Sequence, residues 1–408
     1  DLLLYYLNSN IYIFKLDNFL MLKNLIIVIL SCIIGLFICY AIGVSYYYFN
    51  LDKDRPYHFK NLKSLDFHKK YTSKIHHLSG LDMGKENIDP KNYLFNTVND
   101  FENKNNKILI QGDSYVETLT HYNKSLNLLK EFSKKNNLGL INAGIGSYSP
   151  SLMNLQLDIL EKDFNIYPNI IIAYFDQSDV GDEICRYKDK RKFNDKNQLI
   201  KIEEEKYSRN IFNYTQLHNE SYILLSDRSN FIKSINFFNF NLKYLFLKQK
   251  NKILEKIEGI KKYGFKGRKL KKECTWSDIE RPLVENNPEE IAYFKKTIED
   301  YLKKINEKKH IKKIIIITFP HRANLYPLKN QFNETIYYNV NLAKLVDEII
   351  YKKNNIEHLN FTKEIKGKEK YYYDNAYIEF DPHLKKEFHY SLFAKKIVIK
   401  LNEYLNEN

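Results

Sequence analysis

The chain has 408 residues, 44% of them apolar and 28% charged, a balance that excludes an intrinsically disordered chain and leaves room for one large domain with appendages or for two domains. Lys and Arg total 64 against 50 Asp and Glu, a formal charge of +14. The basic residues are interleaved with acidic ones, as over 252–272 and 299–313, so they describe a solvated basic surface; no nucleic-acid partner is expected, and attraction to anionic lipid or an acidic polymer is the alternative.

The chain opens with Asp1 and carries Met21, so residues 1–24 are expected to form a tail of which 1–20 lie upstream of a true start. From Leu25 to Tyr48 no charged residue occurs, and Lys23 precedes the run. That length crosses a bilayer as a helix. A cleaved signal peptide is the competing reading, because Ala41-Ile-Gly-Val-Ser45 contains small residues. Tyr46, Tyr47 and Tyr48 resemble an interfacial aromatic belt, and the apolar run is longer than a signal core, so an uncleaved anchor is preferred. An anchor of this kind usually places the following domain outside the cytoplasm, although Lys15 and Lys23 before the span and Lys53 and Arg55 after it do not set the orientation. Residues 49–105 are polar, without long periodicity, and read as a stalk and lead-in.

Regular structure is expected from Lys107. Ile108–Ile110 is a buried strand, Tyr115–Lys134 has helical spacing, and Leu138–Asn142 is a second strand ending at a glycine-rich turn. A helix over Leu152–Asp163 leads to Asn169–Phe175, a continuous apolar run of the type buried on both faces of a parallel sheet. The rhythm returns with a helix over Pro288–Lys308, a strand at Lys313–Phe319, a helix over Tyr338–Lys352, a strand at Ile356–Phe361 and a closing helix over Tyr390–Tyr404. This alternation predicts a parallel α/β sheet spanning 106–186 and 288–408. Between them, 187–287 is a charged insertion with an aromatic-rich stretch at Phe231–Phe246; a mostly helical cap over the active-site crevice is expected, with a membrane-facing surface as the alternative.

Chemistry is concentrated at strand ends. Gly112-Asp113-Ser114 closes the first strand, where a sharp turn can present a hydroxyl for attack. A serine nucleophile needs a base, and the base needs a carboxylate to fix its tautomer; Asp381-Pro382-His383 offers both. Pro382 keeps that pair on a loop. Pro320-His321-Arg322 ends another strand and faces the crevice, either touching substrate or making the turn. Asp176, Asp179, Asp182 and Glu183 could bind Ca²⁺, but acidic residues that open a helix are the commoner case, and no metal or cofactor is expected. His389 is read as a helix-face residue and Trp276 as a core residue of the insertion. Cys32 and Cys39 lie in the span, while Cys185 and Cys274 either pair in an oxidising compartment or remain buried thiols.

Together these blocks resemble the SGNH, or GDSL-like, hydrolase superfamily, from about Lys107 to Leu401 outside the insertion. Gly112-Asp113-Ser114 resembles its nucleophile block, Asn142-Ala143-Gly144-Ile145-Gly146-Ser147 its glycine block, and Asp381-Pro382-His383 its acid and base block. Phe175-Asp176-Gln177-Ser178-Asp179 stands where the family has Gly-x-Asn-Asp, so Ser178 replaces the asparagine whose amide donates to the oxyanion. Asp381 and His383 are one residue closer than the usual spacing, a form found among membrane-linked relatives, and Phe388-His389 stands where Gly-His is usual. The resemblance implies a three-layer α/β/α, flavodoxin-like fold. It implies Ser114 as nucleophile, His383 as base and Asp381 as its orienting acid. The N–H of Ser114, a backbone N–H at Gly146 or Ser147, and Ser178 would hold the oxyanion, with Asp113, Asp179, His321 and Arg322 as possible substrate contacts.

The expectation is a membrane-anchored esterase or O-acyltransferase working outside the cytoplasm on an acylated small molecule or a cell-surface glycan, with polysaccharide-assembly proteins as possible partners. A lipid esterase or thioesterase is the enzymatic alternative. A non-catalytic binding or assembly component that keeps the fold is the other class, motivated by Ser178.

Overall fold

The computed structural model describes residues 2–50, 66–67, 70–71, 74–75, 90–97, 104–202, 229–263, 288–329, 335–336, 341–351, 353, 355–378 and 383–407. The chain divides into two compact units, Asp1–Leu62 with Ile211–Gly264 and Lys63–Asn210 with Phe265–Asn408.

Among the described residues, the first unit is a helix pair. Helix α1 (Leu2–Asn50) contains the apolar run, and its part from Lys23 to Phe49 is long and apolar enough to cross a membrane. Its partner is the helix Asn230–Tyr263, α4 in chain order, which holds the aromatic-rich stretch of the insertion. The helical reading of that stretch therefore holds, and among its contacts within the unit is α1: the Tyr40 and Phe238 rings meet edge to face at 5.1 Å.

The second unit is built on a six-stranded sheet. In chain order it contains β1 (Asn96–Thr97), β2 (Lys107–Gly112), α2 (Asn123–Lys135), β3 (Gly139–Gly144), α3 (Pro150–Phe164) and β4 (Ile170–Phe175). A hairpin of β5 (Arg191–Phe193) and β6 (Leu199–Ile202) follows, so the insertion contains strand near its start, which its charged sequence does not signal. Then come α5 (Pro288–Asn306), β7 (Lys313–Thr318), the short pair β8 (Leu328–Lys329) and β9 (Thr335–Ile336), α6 (Leu342–Ile350), β10 (Ile356–Asn360) and α7 (Lys395–Glu407).

The sheet order is β1-β3-β2-β4-β7-β10. The last five strands are parallel, and β1 adds an antiparallel edge drawn from the expected stalk. Counted along the parallel strands the order is 2-1-3-4-5, so the direction of winding changes between β2 and β4, where the carboxyl ends of two strands leave a crevice. Alternate side chains enter two separate apolar clusters. Leu109, Ile171, Ile314 and Ile316 pack with residues of α3, α5 and α6; Ile108, Ile110, Ile172 and Ile315 pack with residues of α2 and α7. This explains the unbroken Ile-rich runs, since each residue is buried on one face or the other, and burying each such side chain contributes about 1.5–3 kcal/mol. Tyr71, Ile75, Leu94 and Phe95, which precede β2, join the first cluster.

Two expected helices are interrupted. The segment after Ser114 forms a short turn, Ser114–Glu117, a second turn to Thr120, and only then α2. Thr118 and Thr120 donate their hydroxyls to the carbonyls of Tyr115 and Glu117, at 2.7 and 3.1 Å, local bonds that compete with a continuing helix. The closing helix likewise starts as a wider, π-type turn at His389–Ala394 before α7.

Two glycines let the Ser114 turn lie against the sheet. A Cβ on Gly144 would stand 2.4 Å from the backbone nitrogen of Glu117 and 2.5 Å from Val116 Cβ; one on Gly112 would stand 2.6 Å from Val116 Cγ2. Gly144→Ala is therefore expected to cost about 1–3 kcal/mol, as overpacking does, read as a lowered urea midpoint. Gly146→Ala, whose Cβ would have nothing closer than 3.5 Å, is the contrast and should leave that midpoint nearly unchanged.

Candidate active site

Ser114 is the first residue of the turn that follows β2. Asp113 caps that turn: its Oδ1 accepts the Tyr115 N–H at 2.9 Å, which fixes where the chain leaves the strand. From the other end of the sequence, His383 is brought over the same point. The Ile378 N–H donates to the His383 carbonyl at 2.9 Å, Lys385 N–H donates to Ala376 O at 2.8 Å, and the Tyr377 hydroxyl donates to Pro320 O at 2.6 Å, tying this loop to the end of β7. His383 Nε2 lies 2.6 Å from Ser114 Oγ, a separation of 269 positions closed to one hydrogen bond. The imidazole stacks on Tyr115 with ring centroids 5.0 Å apart, and Tyr115 stacks in turn on Tyr174 at 5.2 Å. The ring plane is thus set by aromatic packing as well as by the serine. Asp381, the expected orienting acid, and Pro382 lie outside the described residues.

The Ser114 turn is held from three sides. Asn142 Nδ2 donates to Val116 O at 2.9 Å, while its Oδ1 accepts the Gly144 N–H at 2.9 Å. Glu117, itself buried, accepts the Gly146 N–H on Oε2 at 3.0 Å. His389 stands behind the turn, 3.1 Å from Thr118 Oγ1 and 3.2 Å from Tyr115 O through Nε2, and 3.2 Å from Ser125 Oγ through Nδ1. Burial holds its pKa down at about 4 from an ordinary 6.5, so this imidazole is neutral and props the turn from within the core. The helix-face reading of the sequence missed this role, because only the tertiary fold brings 118 and 125 to 389.

The residues expected to hold an oxyanion fall into different environments. Gly146 N–H is engaged by Glu117. Ser147 has φ of +64°, a conformation that ordinarily selects glycine; its carbonyl accepts the Tyr187 hydroxyl at 2.7 Å and its Oγ accepts from Arg186 Nη1 at 2.6 Å. Ser178 donates its hydroxyl to Asp176 Oδ2 at 2.8 Å. Beside it, Gln177 is buried with both amide atoms unpartnered among the described residues, a feature with no signal in the sequence.

Behind the crevice lies a group of buried carboxyls. Asp113 and Asp179 are both pushed well above the usual carboxylate range, first by burial and then by neighbouring carboxylates, and Asp179 Oδ2 accepts the Asp176 N–H at 2.9 Å. Burial raises Asp182 to about 7 despite Arg186, whose Nε is 3.0 Å away. Glu183 accepts from Ser149 Oγ, Ser151 N and Ser151 Oγ at 2.7, 2.6 and 2.8 Å, so its charge lies at the start of α3 where the helix N–H groups favour it. Among the described residues, no group of His, Cys, Asp and Glu is arranged to hold a metal ion. Asp113 and Asp179, named above as possible substrate contacts, are thus buried in capping and backbone bonds.

His321 caps a turn at Arg322–Leu325, its Nδ1 accepting the Ala323 N–H at 3.1 Å. Arg322 lies over the Tyr373 ring, 4.7 Å from its centroid. Cys185 falls in the helical stretch Asp182–Tyr187, and Cys274 and Trp276 lie outside the described residues; Cys32 and Cys39 are free thiols on α1. A second hydroxyl–imidazole–carboxylate series exists at Thr318, His358 and Asp347, with contacts of 2.8 and 2.6 Å. Thr318 is 1% exposed, so substrate cannot reach it, and the series ties β7, β10 and α6 together. No family model, curated protein or solved structure matches the chain.

The neutral state of His389 has a pH signature. Its folded pKa lies below its unfolded one, so the stability it secures is present above about pH 6.5 and is lost as pH falls toward 4; from pH 7.5 to pH 5 the loss amounts to about 2 kcal/mol. Asp182, whose pKa is raised, acts in the opposite sense across about pH 4 to 7, so the measurement has to be a difference. The stability gap between wild type and His389→Gln, from urea unfolding, is expected to shrink by about 2 kcal/mol between these two pH values. Parallel stability curves would refute the assignment.

Proposed function

We propose that the chain is a membrane-anchored serine esterase or O-acyltransferase of SGNH type, with a three-layer α/β/α domain, acting outside the cytoplasm on acyl esters of a cell-surface glycan. The observation that carries this reading is the 2.6 Å contact between Ser114 Oγ and His383 Nε2 at the carboxyl end of a parallel strand, beside the change of winding. Ester chemistry follows from that pair; the glycan rests on the anchor together with the family resemblance.

In this mechanism Ser114 Oγ attacks the ester carbonyl while its proton passes to His383 Nε2. The tetrahedral intermediate collapses, the imidazolium returns the proton to the leaving alcohol, and an acyl-serine remains. Water, in hydrolysis, or an acceptor alcohol, in transfer, then attacks the acyl carbon and gives its proton to His383; the acyl–Oγ bond breaks, and the proton returns to Ser114 Oγ. Asp381 would accept the Nδ1–H and hold the tautomer. The backbone N–H groups of Ser114 and Ser147 are the donors assigned to the oxyanion, since Gly146 N–H is bound by Glu117.

The second reading, a binding or assembly component without turnover, is favoured by that same Glu117 contact and by the Ser178 hydroxyl pointing to Asp176.

A fluorophosphonate probe on the full chain separates the two. Wild type should label and Ser114→Ala should not; a wild type that neither labels nor cleaves short acyl esters faster than Ser114→Ala ends the enzyme reading. Ser178→Ala should lower kcat by well under the roughly 10²–10³ that removal of an oxyanion donor costs, because its hydroxyl is committed to Asp176. A loss of that full size would return Ser178 to the oxyanion site.

A further inference from the structure

Helix α4 carries an apolar face left exposed among the described residues. Phe231, Leu242, Leu245, Phe246 and Ile253 are all exposed, Phe246 by 77%. Phe231, Leu242, Phe246 and Ile253 follow one another at intervals that, at 3.6 residues per turn, keep them within about 60° of one another around the helix. A stripe of this kind on a soluble surface would be an aggregation hazard.

The flank of α4 next to this stripe packs on the end of the apolar run of α1. Phe237 is buried there with Val44; Tyr47 lies 6.3 Å from Phe237 and 6.4 Å from Phe238, ring to ring. Gly43 receives the Phe238 ring so closely that a Cβ at that position would stand 2.1 Å from it. Glycine at a helix contact that admits a neighbouring side chain is a packing device of membrane helices. Polar residues of the stretch bond within the helix pair. Asn236 and Asn241 donate their amides to the carbonyls one turn back, at 2.9 and 3.0 Å, Ser234 does the same at 2.6 Å, and Asn239 accepts the Tyr40 hydroxyl at 3.2 Å. From Ser234 to Leu242 there is no charged residue.

The contact residues Tyr40 to Tyr47 belong to the segment that is long and apolar enough to cross a bilayer. We infer that α4 is a second membrane element, its Phe231–Phe246 stripe bedded in the acyl chains at the level of the last turns of the anchor. The occupant of the stripe is lipid because α4 packs on the end of the candidate span of α1, whose Ile33, Leu36, Phe37 and Ile42 are exposed as well. Beyond Leu247 the sequence becomes rich in lysine, as suits a segment leaving the acyl chains for anionic headgroups.

This inference rests on the anchor reading of α1, and the test separates the two. The full chain carrying Trp276→Phe is reconstituted in phosphatidylcholine–phosphatidylglycerol vesicles with Phe246→Trp, Leu242→Trp or, as the anchor control, Leu36→Trp. Fluorescence at all three positions should be lost to lipid brominated along its acyl chains and protected from aqueous iodide. If 36 is quenched by brominated lipid while 242 and 246 respond to iodide, the inference fails and the anchor stands. If 36 also responds to iodide, both fail. Retaining Trp276 and reading difference spectra gives the same three answers should the Phe substitution impair folding.

Discussion

The close approach of the Ser114 turn to strand β3 is the constraint on which the site depends. At Gly144 the backbone of Glu117 lies where any side chain would begin, so the turn can reach its position only against a bare Cα. Once there, its carbonyls meet Asn142 and His389, and its last side chain binds Gly146. Each of these contacts exists because the turn is close, and none would survive a shift by the radius of a methyl group.

The same closeness explains why the polar groups around the crevice are internally engaged. A turn packed on a sheet buries its own peptide groups, and buried donors and acceptors must find partners. Asp113 accepts the Tyr115 N–H, Glu117 accepts the Gly146 N–H, and the Ser178 hydroxyl donates a hydrogen bond to Asp176. Burial first and neighbouring carboxyls second make Asp113 and Asp179 resist ionisation, against the opposite pull of the N–H donors they accept from. In the proposed mechanism this has a cost, since two groups that the family resemblance assigns to the oxyanion are already bonded inside the protein.

In the first unit, packing follows a different rule. Helix α1 and α4 meet through rings set against a glycine, and the Asn236 and Asn241 amides of α4 turn back onto their own helix. That is the pattern expected where water is scarce, because an amide that cannot reach solvent takes the nearest carbonyl, one turn away on its own helix.

Much of this was legible in the residues themselves. The Ile-rich runs at 108–110, 170–172 and 314–317 announce parallel strands because both faces of such a sheet are covered, and every strand of that type lies where periodicity placed it. The glycines of the first two blocks and the pairing of Ser114 with His383 were also readable, because sharp turns and a serine's need for a base limit the residue types that can serve. The break after Ser114 was not readable, since it depends on Thr hydroxyls competing for carbonyls. Nor were the hairpin in the insertion, the prop supplied by His389, or the bonds that occupy Gly146 and Ser178. Local sequence carries the period of an element and the chemistry of a residue; which distant polar atoms become neighbours is decided when burial brings them together and each must be satisfied.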